Sequence, residues 1–123
     1  MIAALVLLAA AASDPVAGTW TGTSLCQIKP SPCHDEQVVY RIANTGPRRY
    51  RIEAFKMVAG KEEYMGPLDM RLDASGLHLT GANRDRSGID HPWLFTVQGT
   101  HMSGKALTKP GGATLRLIEV SKR

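Results

Sequence analysis

From residue 19 onward apolar and polar positions alternate in short runs, with the period of a pleated strand rather than of a helix. Residues 19–25 set Trp20, Gly22 and Ser24 on one face against Thr19, Thr21, Thr23 and Leu25 on the other, and threonine suits a pleated surface. Residues 37–43 bring Val38, Tyr40 and Ile42 together, and Asn44, Thr45, Gly46 and Pro47 then turn the chain. Residues 49–57 put Tyr50, Ile52 and Ala54 opposite Arg49, Arg51 and Glu53. Phe55 and Met57 then fall on the charged side, which predicts a bulge or a strand end near Ala54.

The second half continues in the same period. Gly60, Lys61 and Glu62 form a turn, residues 64–72 a less regular strand interrupted by Pro67, and residues 73–76 another turn. After a short strand at 77–80, residues 81–92 (GANRDRSGIDHP) are rich in turn formers and poor in apolar residues, so they read as the longest irregular segment. Trp93, Phe95 and Val97 alternate with Leu94 and Thr96, and Gln98 and Gly99 turn into a strand at 100–107. Lys109-Pro110-Gly111-Gly112 turns the chain into a last strand at 113–121. Eight strands and no amphipathic helix of three turns predict an all-β chain. The expected architecture is a small antiparallel up-and-down barrel, whose closure removes the exposed edges of an open sheet.

Ahead of this pattern stands MIAALVLLAAAA, uncharged and apolar over a length that suits a signal-peptide core and falls short of a membrane-spanning helix. Ala10, Ala11 and Ala12 supply the small residues a signal peptidase accepts, so residues 1–12 are expected to be a signal peptide and 13–123 one barrel domain. The usual basic residue before the apolar run is missing, and an uncleaved N-terminal anchor is the alternative. Cys26 lies too far along to be a lipoprotein cysteine. The expected location is periplasmic or secreted, with no membrane span after cleavage.

Export changes the reading of the two cysteines, Cys26 and Cys33. In an oxidising compartment they most simply form a disulfide across a loop restricted by Pro30 and Pro32. The rival reading makes Cys33, His34 and Asp35 metal ligands, but neighbouring residues rarely point at one ion and the Cys-x-x-Cys spacing is absent. Of 123 residues 43% are hydrophobic, enough for one core of modest size. The net charge of +4, from 15 Lys and Arg against 11 Asp and Glu, allows steering of acidic partners without identifying nucleic acid, and none is expected. The chain is expected to act as a monomer.

Gly18-Thr19-Trp20 at the first strand, the eight-strand count and Arg116 in the last strand together resemble the calycin superfamily of lipocalins, avidins and fatty-acid-binding proteins. That resemblance implies that Trp20 closes one end of the barrel and that Arg116 packs across its indole as a cation over a ring face. In size, leader and single disulfide the chain is also similar to small periplasmic barrels that inhibit secreted metalloproteases. The Gly-Thr-Trp-x-Gly-x-Ser opening and Cys33-His34-Asp35-Glu36 resemble a group of uncharacterised exported proteins, a likeness that implies no activity.

Candidate chemistry is sparse. His78, His91 and His101 lie on or beside consecutive strands, where pairing can bring imidazoles together around zinc or copper, yet their spacing matches no metal motif and no metal or cofactor is expected. Asp85 and Asp90 offer an acid and a base, but Arg84 and Arg86 more simply neutralise Asp85 on a solvated loop. Ser24, Ser31 and Ser103 sit in no recognisable nucleophile motif, and no catalytic residue is expected. Arg48, Arg49 and Arg51, with Arg41 across the hairpin, can meet an anionic surface or simply keep a strand face soluble.

Tyr40, Trp93 and Phe95 are expected to line a site for a small apolar or amphipathic ligand, with residues 81–92 at its rim; the plainer reading has these rings filling the core. The alternative is a secreted protein partner, such as a protease held by a free segment at residues 13–18.

Overall fold

The computed structural model describes residues 14–29 and 32–123. The expected leader over 1–12 and its cleavage site lie outside the described residues, as do Pro30 and Ser31. Eight strands follow in order: β1 (Gly18–Cys26), β2 (Glu36–Gly46), β3 (Arg49–Val58), β4 (Lys61–Leu72), β5 (His78–Arg84), β6 (Asp90–Gln98), β7 (His101–Leu107) and β8 (Thr114–Lys122). Each pairs antiparallel with the next, and β1 pairs with β8, so the sheet closes as an up-and-down barrel. Closure leaves no strand edge exposed along the β1–β8 seam.

That seam depends on Gly22. Its neighbours Trp20 and Ser24 are buried, so position 22 faces inward. A Cβ there would overlap the Glu119 carbonyl and come 2.8 Å from the Val120 Cα. Only a residue without a side chain lets the two strands approach so closely.

The switch of faces expected near Ala54 is a bulge. Ala54 pairs with Gly66 and Phe55 with Tyr64, leaving Met65 as the extra residue of β4, while Gly66 adopts φ 119°. Beyond the bulge Phe55 lies on the outer face, where the Arg41 guanidinium sits 4.9 Å over its ring.

The irregular segment expected at 81–92 is instead a hairpin: β5 runs on to Arg84 and β6 begins at Asp90, with pairs from Gly81↔Trp93 to Arg84↔Asp90. Pairing continues through polar residues because this end of the hairpin rises above the core and has no apolar face to bury.

The strands define two ends. At the lower end lie the start of β1 and the turns β2–β3, β4–β5 and β6–β7; at the upper end lie the Cys26–Glu36 connection and the turns β3–β4, β5–β6 and β7–β8. Inward-pointing Trp20, Ile52, Leu79, Met102, Ile118 and Val120 fill the lower and middle barrel, each almost fully buried. Side chains can fill a barrel of eight strands in this way.

Candidate functional site

The lower end is sealed by the chain that leads into β1. Val16 is fully buried, and its carbonyl accepts a 2.8 Å hydrogen bond from the Trp20 indole Nε1. The Asp14 carboxylate accepts from the Val16 and Ala17 backbone N–H groups, from Asn44 Nδ2 and from the Tyr50 hydroxyl, at 2.8–3.0 Å. Burial alone would raise the Asp14 carboxyl, but these donors outweigh it and bring its pKa down to about 2.

The cation over the Trp20 ring is Lys122, with Nζ 5.8 Å from the centroid and 3.2 Å from the Asp14 carbonyl oxygen. The expected partnership of Trp20 with Arg116 is therefore corrected. Register decides the matter: Trp20 pairs with Lys122, whereas Arg116 pairs with Cys26 at the other end.

At the upper end the expected disulfide is present, with the Cys26 and Cys33 Cα atoms 5.8 Å apart, so Cys33 is not available as a metal ligand. Asp35 Oδ1 accepts from the Cys26 N–H at 2.8 Å and fixes the connection from within. Arg116 reaches across it: Nη1 donates to the His34 carbonyl at 3.0 Å and to Ser24 Oγ at 3.2 Å, and Nη2 donates to Glu36 Oε1 at 3.3 Å. The Arg116 and Glu36 side chains are only 15% and 17% exposed.

Beneath this ion pair lies a cavity of about 230 Å³, lined by Tyr40, Trp93, Ala54, Met65, Pro67 and Leu68 with Ser24, Glu36, Gly66, Asn83 and Arg116. It opens where β4 and β5 part. Their pairing is confined to Met70↔Gly81, Arg71↔Thr80 and Leu72↔Leu79, so the upper part of β4 stands away from β5. Pro67, which has no N–H to donate, sits on this stretch, and the bulge at Met65 turns that side chain onto the lip.

The three expected ligand-binding aromatics meet here as one cluster. The Tyr40 ring lies edge-on to Trp93 at 6.2 Å and to Phe95 at 6.3 Å, and Trp93 lies 6.1 Å from Phe95. Tyr40 and Trp93 line the cavity; Phe95, 2% exposed, lies outside its lining and packs against both rings. Of residues 81–92 only Asn83 reaches the cavity wall.

Tyr40 is fully buried, and among the described residues its hydroxyl is the buried side-chain polar atom left without a hydrogen-bond partner. Burial pushes the phenol pKa up, and the nearby Glu36 charge adds to the shift. The group is a neutral donor. Position 40 was readable as inward-facing from sequence, whereas nothing in the local sequence marks Glu36, Met65 or Asn83 as its neighbours in space.

The other candidates lie elsewhere. His91 is at the upper end, with Nε2 2.8 Å from Asp85 Oδ2 and Nδ1 3.1 Å from the Leu107 carbonyl. His101 lies near the lower end of β7 on the outer face, 2.6 Å from Glu119, in a polar cluster with Ser103 and Ser121. Among the described residues no three His, Cys, Asp or Glu side chains converge as metal ligands.

Arg84 pairs with Asp90 at 2.9 Å rather than with Asp85, whose carboxylate is bonded by the Ser87 hydroxyl, His91 and backbone N–H groups. These partners hold both carboxyls below the usual range, Asp85 through Ser87 first and Asp90 through Arg84 first, so neither is poised as a protonated acid. Arg41 is bound by Glu62 through two 2.8 Å contacts and Arg51 by Glu53 at 2.7 Å, which divides the basic run.

The fold and site thus define a closed eight-stranded antiparallel barrel with a sealed lower end and an aromatic cavity at its upper mouth. No family model and no curated protein matches this chain.

Proposed function

We propose that the protein is an exported, noncatalytic barrel of calycin type that binds a small apolar or amphipathic ligand in the cavity between β4 and β5. The observation that carries this reading is the contrast within one barrel: its lower and middle interior is filled by side chains, while Tyr40, Trp93, Ala54, Met65 and Leu68 enclose open space of about 230 Å³ at the mouth. An apolar wall with a few polar groups is the usual composition of a small-molecule site, and the cavity is somewhat smaller than the roughly 300–1,000 Å³ usual for such sites. The disulfide fits an oxidising compartment, and no helix among the described residues is long and apolar enough to cross a membrane.

The alternative, a protease inhibitor acting through a free N-terminal segment, draws less support because residues 14–17 are tied into the lower end by Asp14, Val16 and Lys122.

The test is titration of the purified protein with ethylbenzene and indole, followed by the NMR signal of the Trp93 indole N–H. Ala54, 3% exposed and lining the cavity, supplies the control, because Ala54→Met fills the space with a flexible apolar chain. Saturable shifts in the parent that vanish in Ala54→Met support a ligand site. Absence of any saturable shift in a folded parent overturns it.

A further inference from the structure

We infer that the ligand of this cavity is a neutral, single-ring aromatic molecule whose hydroxyl or carbonyl head accepts a hydrogen bond from the Tyr40 hydroxyl. The inference rests on the ligand-binding reading above and narrows it. Three observations set the chemistry.

Size comes first. A volume of about 230 Å³ lies below the roughly 300–1,000 Å³ usual for small-molecule pockets. It suits one ring with a short substituent better than a sterol. The Trp93 and Tyr40 rings, 6.2 Å apart and inclined at 75°, offer edge and face contacts to such a ring.

Second, Tyr40 Oη is a buried donor with no partner among the described residues. A buried donor left unpaired is costly, and the oxygen is covered in the free protein, so a ligand head that shifts the covering side chains and accepts from it recovers an interaction the protein alone lacks.

Third, the lip selects against charge. Arg116 and Glu36 neutralise each other at 3.3 Å, and the other guanidinium nitrogen is bound by Ser24 and the His34 carbonyl. A carboxylate entering here would meet Glu36, and an ammonium would meet Arg116, each without an uncompensated countercharge. A hydroxyl head suffers neither penalty.

The experiment uses probes of nearly one size: benzyl alcohol, ethylbenzene, benzylamine and benzoate, titrated into the parent and into Tyr40→Phe by calorimetry and by the Trp93 indole signal. The parent is expected to bind benzyl alcohol and ethylbenzene and to bind the two charged probes at least tenfold more weakly. Tyr40→Phe is expected to weaken benzyl alcohol about tenfold, the equivalent of one net hydrogen bond, and to leave ethylbenzene unchanged or tighter. The same variant is expected to melt at or above the parent's temperature.

If ethylbenzene binds and Tyr40→Phe leaves benzyl alcohol unaffected, the proposed head contact is wrong while the apolar site stands. Benzoate or benzylamine ranking first refutes the neutral head. Failure of all four probes removes the ligand site itself. Should Tyr40→Phe not fold, the parent's ranking alone decides, since either charged probe at or above benzyl alcohol refutes the proposal.

Discussion

The two ends of this barrel solve the same problem in opposite ways. Both must close a ring of eight strands whose end residues lack neighbours above or below. At the lower end a segment outside the sheet folds inward, and its polar groups find partners: the Trp20 indole bonds to Val16, the Asp14 carboxylate accepts from backbone and side-chain donors, and Lys122 caps the Asp14 carbonyl. At the upper end a disulfide and the Arg116–Glu36 ion pair hold the rim, β4 and β5 diverge, and a buried phenol has no partner among the described residues. Satisfied polar networks rigidify a structure, while a buried group without a partner is costly. On the proposed function, the lower end serves stability and the upper end serves exchange.

The largest way to break this contrast is at Trp20. Trp20→Ala removes a fully buried indole and its bond to the Val16 carbonyl. The expected loss is about 3–5 kcal/mol, much of the stability of a small domain. Urea denaturation followed by near-ultraviolet circular dichroism measures it. A loss below about 1 kcal/mol would mean that the seal contributes little and that the two ends differ only in appearance.

The disulfide comes next. Replacing Cys26 and Cys33 together by serine opens a short loop, worth about 2.5 kcal/mol of denatured-state entropy in the chain-entropy model. The effect is expected to be local. Amide exchange at positions 26 and 36 should accelerate well beyond the global change, and exchange of the Trp20 indole N–H should follow global stability alone. Equal acceleration at both ends would show that the barrel opens as one unit.

Much of this architecture was legible in the chain. Alternation placed Trp20, Tyr40, Ile52 and Phe95 inward, the switch at Phe55 announced the bulge, and the cysteine spacing announced the bridge. What failed, failed for want of long-range information. Arg116 and Lys122 are six residues apart in one strand and so share a face; only the β1–β8 register tells which lies over Trp20. The β5–β6 hairpin was hidden because Asn83, Arg84, Asp90 and His91 pair above the core and carry no apolar period. The bond from Tyr50 to Asp14 joins residues 36 apart, and no local pattern predicts it. The cavity itself arises from the parting of β4 and β5, which is a property of pairing rather than of any one segment.

Acid sharpens the comparison at the lower end. Asp14 has a folded pKa of about 2, below the usual aspartate value of about 3.9 in an unfolded chain. Its contribution to stability is therefore complete above about pH 5 and declines as the pH falls through 4 towards 2. Asp14→Asn is expected to cost about 1–2 kcal/mol at neutral pH, given that the carboxylate is only partly buried. The difference between variant and parent should shrink steadily on acidification. A gap in urea midpoint that stays constant from pH 7 to pH 2 would assign the loss to shape rather than charge.

The smallest expected effect lies at the β3–β4 turn of the upper end, and its sign is opposite. Ala59 and Gly60 both have positive φ, 51° and 78°, the backbone of a two-residue hairpin turn in which Asn-Gly is the favoured pair. Alanine enters this region against the clash of its Cβ with the carbonyl, whereas asparagine tolerates it. Ala59→Asn is expected to stabilise the protein by about 0.5–1 kcal/mol, read as a higher urea midpoint with unchanged slope. Because Ala59 is exposed and lies outside the cavity lining, ligand affinity should not move. Stabilisation with unchanged binding would show that the upper end's stability can be raised without closing its mouth. Stabilisation accompanied by weaker binding would show instead that looseness of the β3–β4 hairpin is part of how the cavity admits its ligand.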